Sequence, residues 1–260
     1  MLLTGASGGL GKAIARALCD RGARVAITAR RGEVLDELCS ELGPALTPLA
    51  ADLADRDAPA KLAERVGSVD VLVANAALPA AGPVDDFTPE EIDRALDVNL
   101  RAPVQLTRLL LPGMKERGRG HLVFMSSLSG KTASPGSALY SAAKFGLRGF
   151  GAALRDDLVG TGIGVTVVFP GFIRESGMFA DSGVKLRAGV GTKTPEDVAG
   201  AVIRGIERGK GEIDVAPLGL RLGVKLAELA PGVSSRIQRR LGAVELGQEL
   251  GEAHRRAGKR

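Results

Sequence analysis

Thr4-Gly5-Ala6-Ser7-Gly8-Gly9-Leu10-Gly11 stands between a short apolar run, Leu2 to Thr4, and a stretch of helical periodicity from about Leu10 to Arg21. Glycines here let the backbone turn tightly and approach a pyrophosphate, whose charge then meets the free N–H groups and positive end of the next helix. Outward from this turn the chain alternates short apolar runs with longer helical stretches. The runs are Leu2 to Thr4, Arg24 to Thr28, Leu46 to Ala50, Val69 to Ala74, His121 to Ser126, Val165 to Phe169 and Glu212 to Ala216. Such alternation predicts an α/β fold, with about seven strands in one doubly wound parallel sheet and helices on both faces. Only Met1 to Thr4 precede the turn, fewer than a central strand usually has, so either the strand is cut short or the start is placed late.

Two helix starts are explicit. Thr88-Pro89-Glu90-Glu91 and Thr194-Pro195-Glu196-Asp197 each set a cap, a proline at the first helical position and a carboxylate three residues after the cap. After Pro217 no strand signal remains, and two helices split near Pro231-Gly232 are expected. The chain therefore reads as a dinucleotide-binding and catalytic domain over 1–217 and a basic helical extension over 218–260 packed on it. Residues 1–217 carry 26 basic and 26 acidic side chains and residues 218–260 carry 9 and 4, so the net charge of +5 resides in the extension. A solvated face is the plainer reading of this charge; contact with a peripheral membrane surface or nucleic acid is the lesser one. The first of these helices, around Leu218 to Ala230, mixes leucines with Arg221 and Lys225, which suits a membrane surface, a partner subunit or ordinary packing on the core.

Composition narrows the chemistry. The 260 residues include no Trp, one Tyr (Tyr140), two Asn (Asn75 and Asn99) and two His (His121 and His254). A histidine-based triad, a three-histidine metal site and base-stacking platforms for single-stranded nucleic acid are thereby disfavoured, and no metal is expected. Cys19 and Cys39 fall on different predicted helices without CxxC spacing, which reads as buried thiols in a reducing, cytoplasmic setting. No stretch of 18 apolar residues occurs.

The TGxxxGxG spacing at Thr4–Gly11 is followed in order by Asp52 after the third strand, Ala74-Asn75-Ala76-Ala77 after the fourth, and Val98-Asn99-Leu100. Ser127 then follows the fifth strand, Tyr140-Ser141-Ala142-Ala143-Lys144 comes 13 residues later, and Pro170-Gly171 follows the sixth strand. In this series the chain resembles the classical short-chain dehydrogenase/reductase family over roughly residues 1–216. The resemblance implies a Rossmann-type fold and an NAD(P)-dependent oxidoreductase that interconverts an alcohol and a ketone or aldehyde. It implies a catalytic set of Asn99, Ser127, Tyr140 and Lys144, and a homodimer or homotetramer. The implied cofactor-binding residues are Gly5, Ser7, Gly9, Leu10 and Gly11 at the turn, Arg30 and Arg31 after the second strand, and Asp52 with Leu53 after the third. Asn75, Ala76, Tyr140, Lys144, Pro170, Gly171 and Ile173 complete them.

The residues make chemical sense beside that resemblance. Tyr140 and Lys144, four apart on a helix, share a face, so the ammonium is expected to favour phenolate and bring a pKa near 10 towards working pH. Ser127 offers a hydroxyl to hold and polarise a carbonyl oxygen. Pro103 has no N–H to offer the carbonyl four residues back, which is that of Asn99. In the family, the equivalent carbonyl holds a water that passes protons to the lysine.

Cofactor choice is read after the second strand. An acid at position 29 would bond the ribose hydroxyls and repel a 2'-phosphate. Ala29-Arg30-Arg31 instead offers charge-assisted bonds to that phosphate, so NADP is favoured over NAD.

Three departures from the family pattern stand out. Ala74 and Ala77 replace the usual first Asn and last Gly of NNAG. The threonine that contacts the nicotinamide carboxamide is missing, with Glu175 or Ser176 as its stand-in. Phe172 to Lys193 is long, glycine-rich and apolar in part, and reads as a substrate lid over an apolar carbonyl, with Arg174, Lys185 and Arg187 as its charged exceptions. A catalytically silent nucleotide-binding regulator on the same fold is the competing reading.

Overall fold

The computed structural model describes residues 1–184, 186, 190–240 and 242–258. Seven strands form one sheet: β1 (Leu2–Thr4), β2 (Val25–Thr28), β3 (Leu46–Pro48), β4 (Val71–Ala74), β5 (Gly120–Met125), β6 (Ile163–Pro170) and β7 (Glu212–Val215). Every described pairing is parallel, in the order β3-β2-β1-β4-β5-β6-β7. All seven predicted strands are present. The parallel ladder explains why they read as unbroken apolar runs, since both faces are covered.

Side-chain alternation along each strand splits the core in two. Leu2, Leu72, Leu122, Phe124, Val165 and Val167 face one way, against α3 (Ala58–Val66), α5 (Ala102–Arg117), α6 (Ala138–Asp157) and α8 (Leu218–Leu229). Leu3, Val25, Ile27, Val73, Val123 and Val168 face the other way, against α1 (Gly9–Cys19), α2 (Gly32–Leu42) and α7 (Pro195–Arg208). The strand order reverses between β1 and β4, and the crevice beyond the carboxyl ends of the strands there is where such sheets place ligands.

The two helix starts read from the sequence are full capping boxes. Thr88 opens α4 (Pro89–Leu96) and Thr194 opens α7, each with reciprocal bonds to the third residue of the helix. Cys19 and Cys39 lie on α1 and α2 as expected, but both are half-exposed, because α2 turns Leu35 and Leu38 inward and leaves Cys39 on its flank. Among the described residues the extension holds three helices where two were expected: α8, α9 (Pro231–Arg240) and α10 (Ala243–Arg256). The additional break falls at Gly242, a left-handed residue (φ 75°) directly before α10. No described helix is long and apolar enough to cross a membrane.

Candidate active site

The strand ends beside the switch point are tied together first. Thr4 Oγ1 at the end of β1 accepts from the backbone N–H groups of Asn75 (3.0 Å) and Ala76 (2.9 Å), and Asn75 Nδ2 donates to the carbonyls of Thr4 (3.0 Å) and Gly5 (3.2 Å). Thus Asn75 supplies the side-chain bonds, and the Ala76 N–H one more, at a turn where alanines stand at 74 and 77. Gly5 is required by this contact, since its φ is +69° and a Cβ there would lie 2.7 Å from the Ala76 Cα.

A dinucleotide fits the surface so formed. The Gly8 N-cap of α1 makes no side-chain cap, and the first turn of α1 carries no acid, so its positive end is uncompensated. A side chain on Gly9 would collide with Ser176, whose Oγ is buried there without a hydrogen-bond partner among the described residues, an orphan that a phosphate oxygen would satisfy. Ser7 and Leu10 are half-buried beside it, and Gly11 packs on Ala6.

Arg30 and Arg31 follow β2, exposed and outside any ion pair among the described residues, next to a buried Ala29. Asp52 Oδ2 accepts from Arg94 at 3.1 Å and Oδ1 from the Ala54 N–H at 3.1 Å, while Leu53 lies in the core.

Ser127 follows β5, where its Oγ accepts from the Ser129 N–H at 3.1 Å and lies 3.5 Å from the Pro170 carbonyl. Lys144, one turn beyond Tyr140 along α6, is 1% exposed, donates to the Met125 carbonyl at 2.9 Å and sits 5.5 Å from the centre of the Tyr140 ring. Sequence spacing therefore brought Ser127, Tyr140 and Lys144 into one place.

Their electrostatics differ from the expectation. Burial pushes the Tyr140 phenol up to about 12, with the neighbouring Ser127 hydroxyl pulling the other way, and burial lowers Lys144 to about 8. Desolvation outweighs any help from the ammonium, which is held by a strand carbonyl.

Asn99 is 1% exposed and clamps Leu78, accepting from its N–H (2.8 Å) and donating to its carbonyl (2.9 Å). The chain around it, Asp97–Arg101, is a π-helical turn leading into α5, with Pro103 near the start of α5. Pro103 withholds a donor from the carbonyls behind it, and the wider π turn accommodates that gap.

The segment after β6 is pinned at both ends. Arg174 N donates to the Lys193 carbonyl (2.9 Å) and Lys193 N to that of Phe172 (3.0 Å), with Ile173 buried between them. Phe172 and Phe179 stack edge to face, 5.0 Å apart. Glu175, with φ 72°, turns to Arg174 (2.9 Å), and Ser176 lies on Gly9, so the two stand-ins for the missing threonine point to different places. Lys185 and Arg187 lie outside the described residues. Gly171 packs between Leu128 and Ala216, just beyond Pro170.

Sequence reasoning missed α10, which closes over the same region. A Cβ on Gly251 would lie 2.7 Å from the Gly82 Cα, and one on Gly247 would lie 3.0 Å from the Gly136 Cα. His254 Nε2 meets the Met178 carbonyl at 3.1 Å, and Arg255 pairs with Asp86. Two glycines four apart were the available signal, because they let a helix lie directly on backbone. Lys131 was also missed. It is buried, bonded to Glu212 (2.9 Å) and Asp214 (2.7 Å), and it fixes the loop after Ser127 to β7.

Comparison with known proteins bears on the family and the fold. The family profile described as short chain dehydrogenase matches residues 1–186. The chain is 35% identical to the ketoacyl reductase HetN of Nostoc sp., over 97% of this chain and 92% of that protein. A short-chain dehydrogenase from Streptomyces avermitilis superposes with a TM-score of 0.76 at 31% identity, over 88% of this chain and 92% of that one. A metagenomic short-chain oxidoreductase in complex with NADP gives 0.70 at 34% identity, over 84% and 96%. The chain belongs to the short-chain dehydrogenase/reductase family of oxidoreductases.

Proposed function

We propose that the protein interconverts an alcohol and a ketone or aldehyde by hydride transfer, prefers NADP(H), and uses Tyr140 as its acid and base. The observation that carries this reading is the cluster of half-buried Ser127 and Tyr140 with buried Lys144 at the carboxyl end of the sheet. A pure nucleotide binder has no use for a phenol set one helical turn from a buried lysine, which disfavours the silent-regulator alternative.

When bound, the nicotinamide ring supplies or accepts the hydride at the carbonyl carbon. Ser127 Oγ holds the carbonyl oxygen. With its pKa near 12, Tyr140 keeps its proton at neutral pH, the state that reduction needs, and delivers it to that oxygen as charge develops there. Lys144, near 8, gives up or regains a proton at little cost and so restores Tyr140 after each turnover. The uncompensated start of α1 and Ser176 hold the pyrophosphate, while Arg30 and Arg31 hold the 2'-phosphate. Asn99 acts by fixing Leu78 and the chain beside the site.

Phe172, Met178 and Phe179 in the segment after β6 favour an apolar carbonyl substrate, and the likeness to the ketoacyl reductase HetN makes ketoacyl compounds the first to try. Following NADPH oxidation across ketones, aldehydes and ketoacyl compounds tests the reading. Turnover with an apolar carbonyl supports it; tight NADPH binding with no turnover across the panel would favour the regulator.

A further inference from the structure

The helices after β7 bury less than their sequence invites. On α8 only Val224 and Ala227 are fully buried, with Leu220 packed at the edge of the core. Leu218, Leu222, Leu226 and Leu229 are 68%, 53%, 67% and 84% exposed. At 100° per residue these four fall within about 80° of arc, a stripe directed away from the body. Arg221 and Lys225 border that stripe on one side. After Pro231 the pattern repeats: Val233 (54%) and Ile237 (51%) are exposed, flanked by exposed Arg236, Arg239 and Arg240.

None of these five cations is in an ion pair among the described residues. The one acid on α8, Glu228, is taken by Arg148 at 2.5 Å, and α9 has none. The exposed face therefore combines leucines with uncompensated positive charge.

We infer that the α8–α9 face seats the protein on an anionic lipid surface. An amphipathic helix with leucines on one face and Arg or Lys beside them lies in the plane of a bilayer interface, its apolar side chains among the acyl chains and its cations among the headgroups. A second copy is the poorer occupant, because a twofold contact sets the same face against itself and brings five cations towards five more without an acid to separate them. Nucleic acid would meet the cations but leave the leucines without an apolar partner. An oligomer built on another face is compatible with this seating.

The absence of any tryptophan in the chain makes the test direct. Leu226→Trp places a single indole in the exposed stripe of the full-length protein. Its emission is expected to shift to the blue on adding vesicles of phosphatidylcholine with about a quarter phosphatidylglycerol, and to shift less with phosphatidylcholine alone. Each cation near an anionic surface is worth roughly a factor of five, so Arg236→Gln/Arg239→Gln/Arg240→Gln should lower vesicle partitioning on the order of 100-fold. Leu222→Glu/Leu229→Glu should abolish co-sedimentation while circular dichroism stays that of the parent. No shift with either vesicle, or binding that survives the double glutamate change, would overturn the inference. So would a blue shift on raising protein concentration without lipid, which marks a second copy, or equally strong binding to an oligonucleotide.

Discussion

Lys144 Nζ lies over the ring of Tyr140, 5.5 Å from its centre, while donating its hydrogen bond to the Met125 carbonyl at 2.9 Å. With the ammonium engaged by the strand, burial governs the phenol. Because Tyr140 is the only tyrosine and there is no tryptophan, tyrosinate absorbance reports this one group. In the cofactor-free protein it should appear near pH 12, against about 10 in denaturant. A midpoint between pH 7 and 8 without cofactor would show that Lys144 controls the phenol after all.

Arg30→Asp should discriminate between cofactors. The change removes one charge-assisted partner of a 2'-phosphate and adds a repelling carboxylate, so NADPH binding should weaken by about 10- to 100-fold, as loss of a charged hydrogen bond does. NADH binding should change little. Fluorescence titration with both cofactors reads the difference, and equal losses would remove the 2'-phosphate assignment.

The α/β alternation was legible because each strand is an apolar run buried on both faces, and the helix starts at Thr88 and Thr194 were legible because capping boxes are local. The YxxxK spacing likewise places two side chains on one helical face. What stayed hidden is non-local. Gly247 and Gly251, four apart, allow a helix to lie on backbone, but nothing near them announces that this backbone is that of Gly136 and Gly82, more than a hundred residues away. The same holds for Lys131, whose partners Glu212 and Asp214 lie on β7. Spacing also placed Tyr140 beside Lys144 without revealing how dry the site is, and dryness sets the pKa values.

Gly251→Leu tests the packing of α10. A side chain there meets the Gly82 backbone, which cannot yield as a flexible side chain would. Overpacking of this kind costs about 1–3 kcal/mol, and α10 should lift from the turn at Gly82. Hydrogen exchange in Ala243–Arg256 should quicken, while exchange in β4 and β5 stays slow. Unchanged exchange would show that α10 is not held there.

Stability should depend on pH through His121, far from the active site at the start of β5. The Thr166 hydroxyl donates to the Lys210 carbonyl (2.7 Å), so it accepts from His121 Nε2–H at 2.8 Å. Burial lowers this group to about 4. Between about pH 4 and 6.5 the unfolded chain binds a proton that the native state refuses, so stability rises with pH across that window. The full effect is on the order of 3 kcal/mol. Urea midpoints at pH 7 and pH 5 should differ more in the parent than in His121→Gln; equal differences would clear His121 of the role.

The most direct measurement is the turnover of Tyr140→Phe on a substrate that the parent reduces, with NADPH affinity measured alongside. The change removes the only phenol in the protein. NADPH binding should persist while the rate falls by about 10²- to 10⁴-fold, the usual contribution of a positioned acid. Parent-rate reduction by a variant that still binds NADPH would contradict the assignment of Tyr140 as the proton donor.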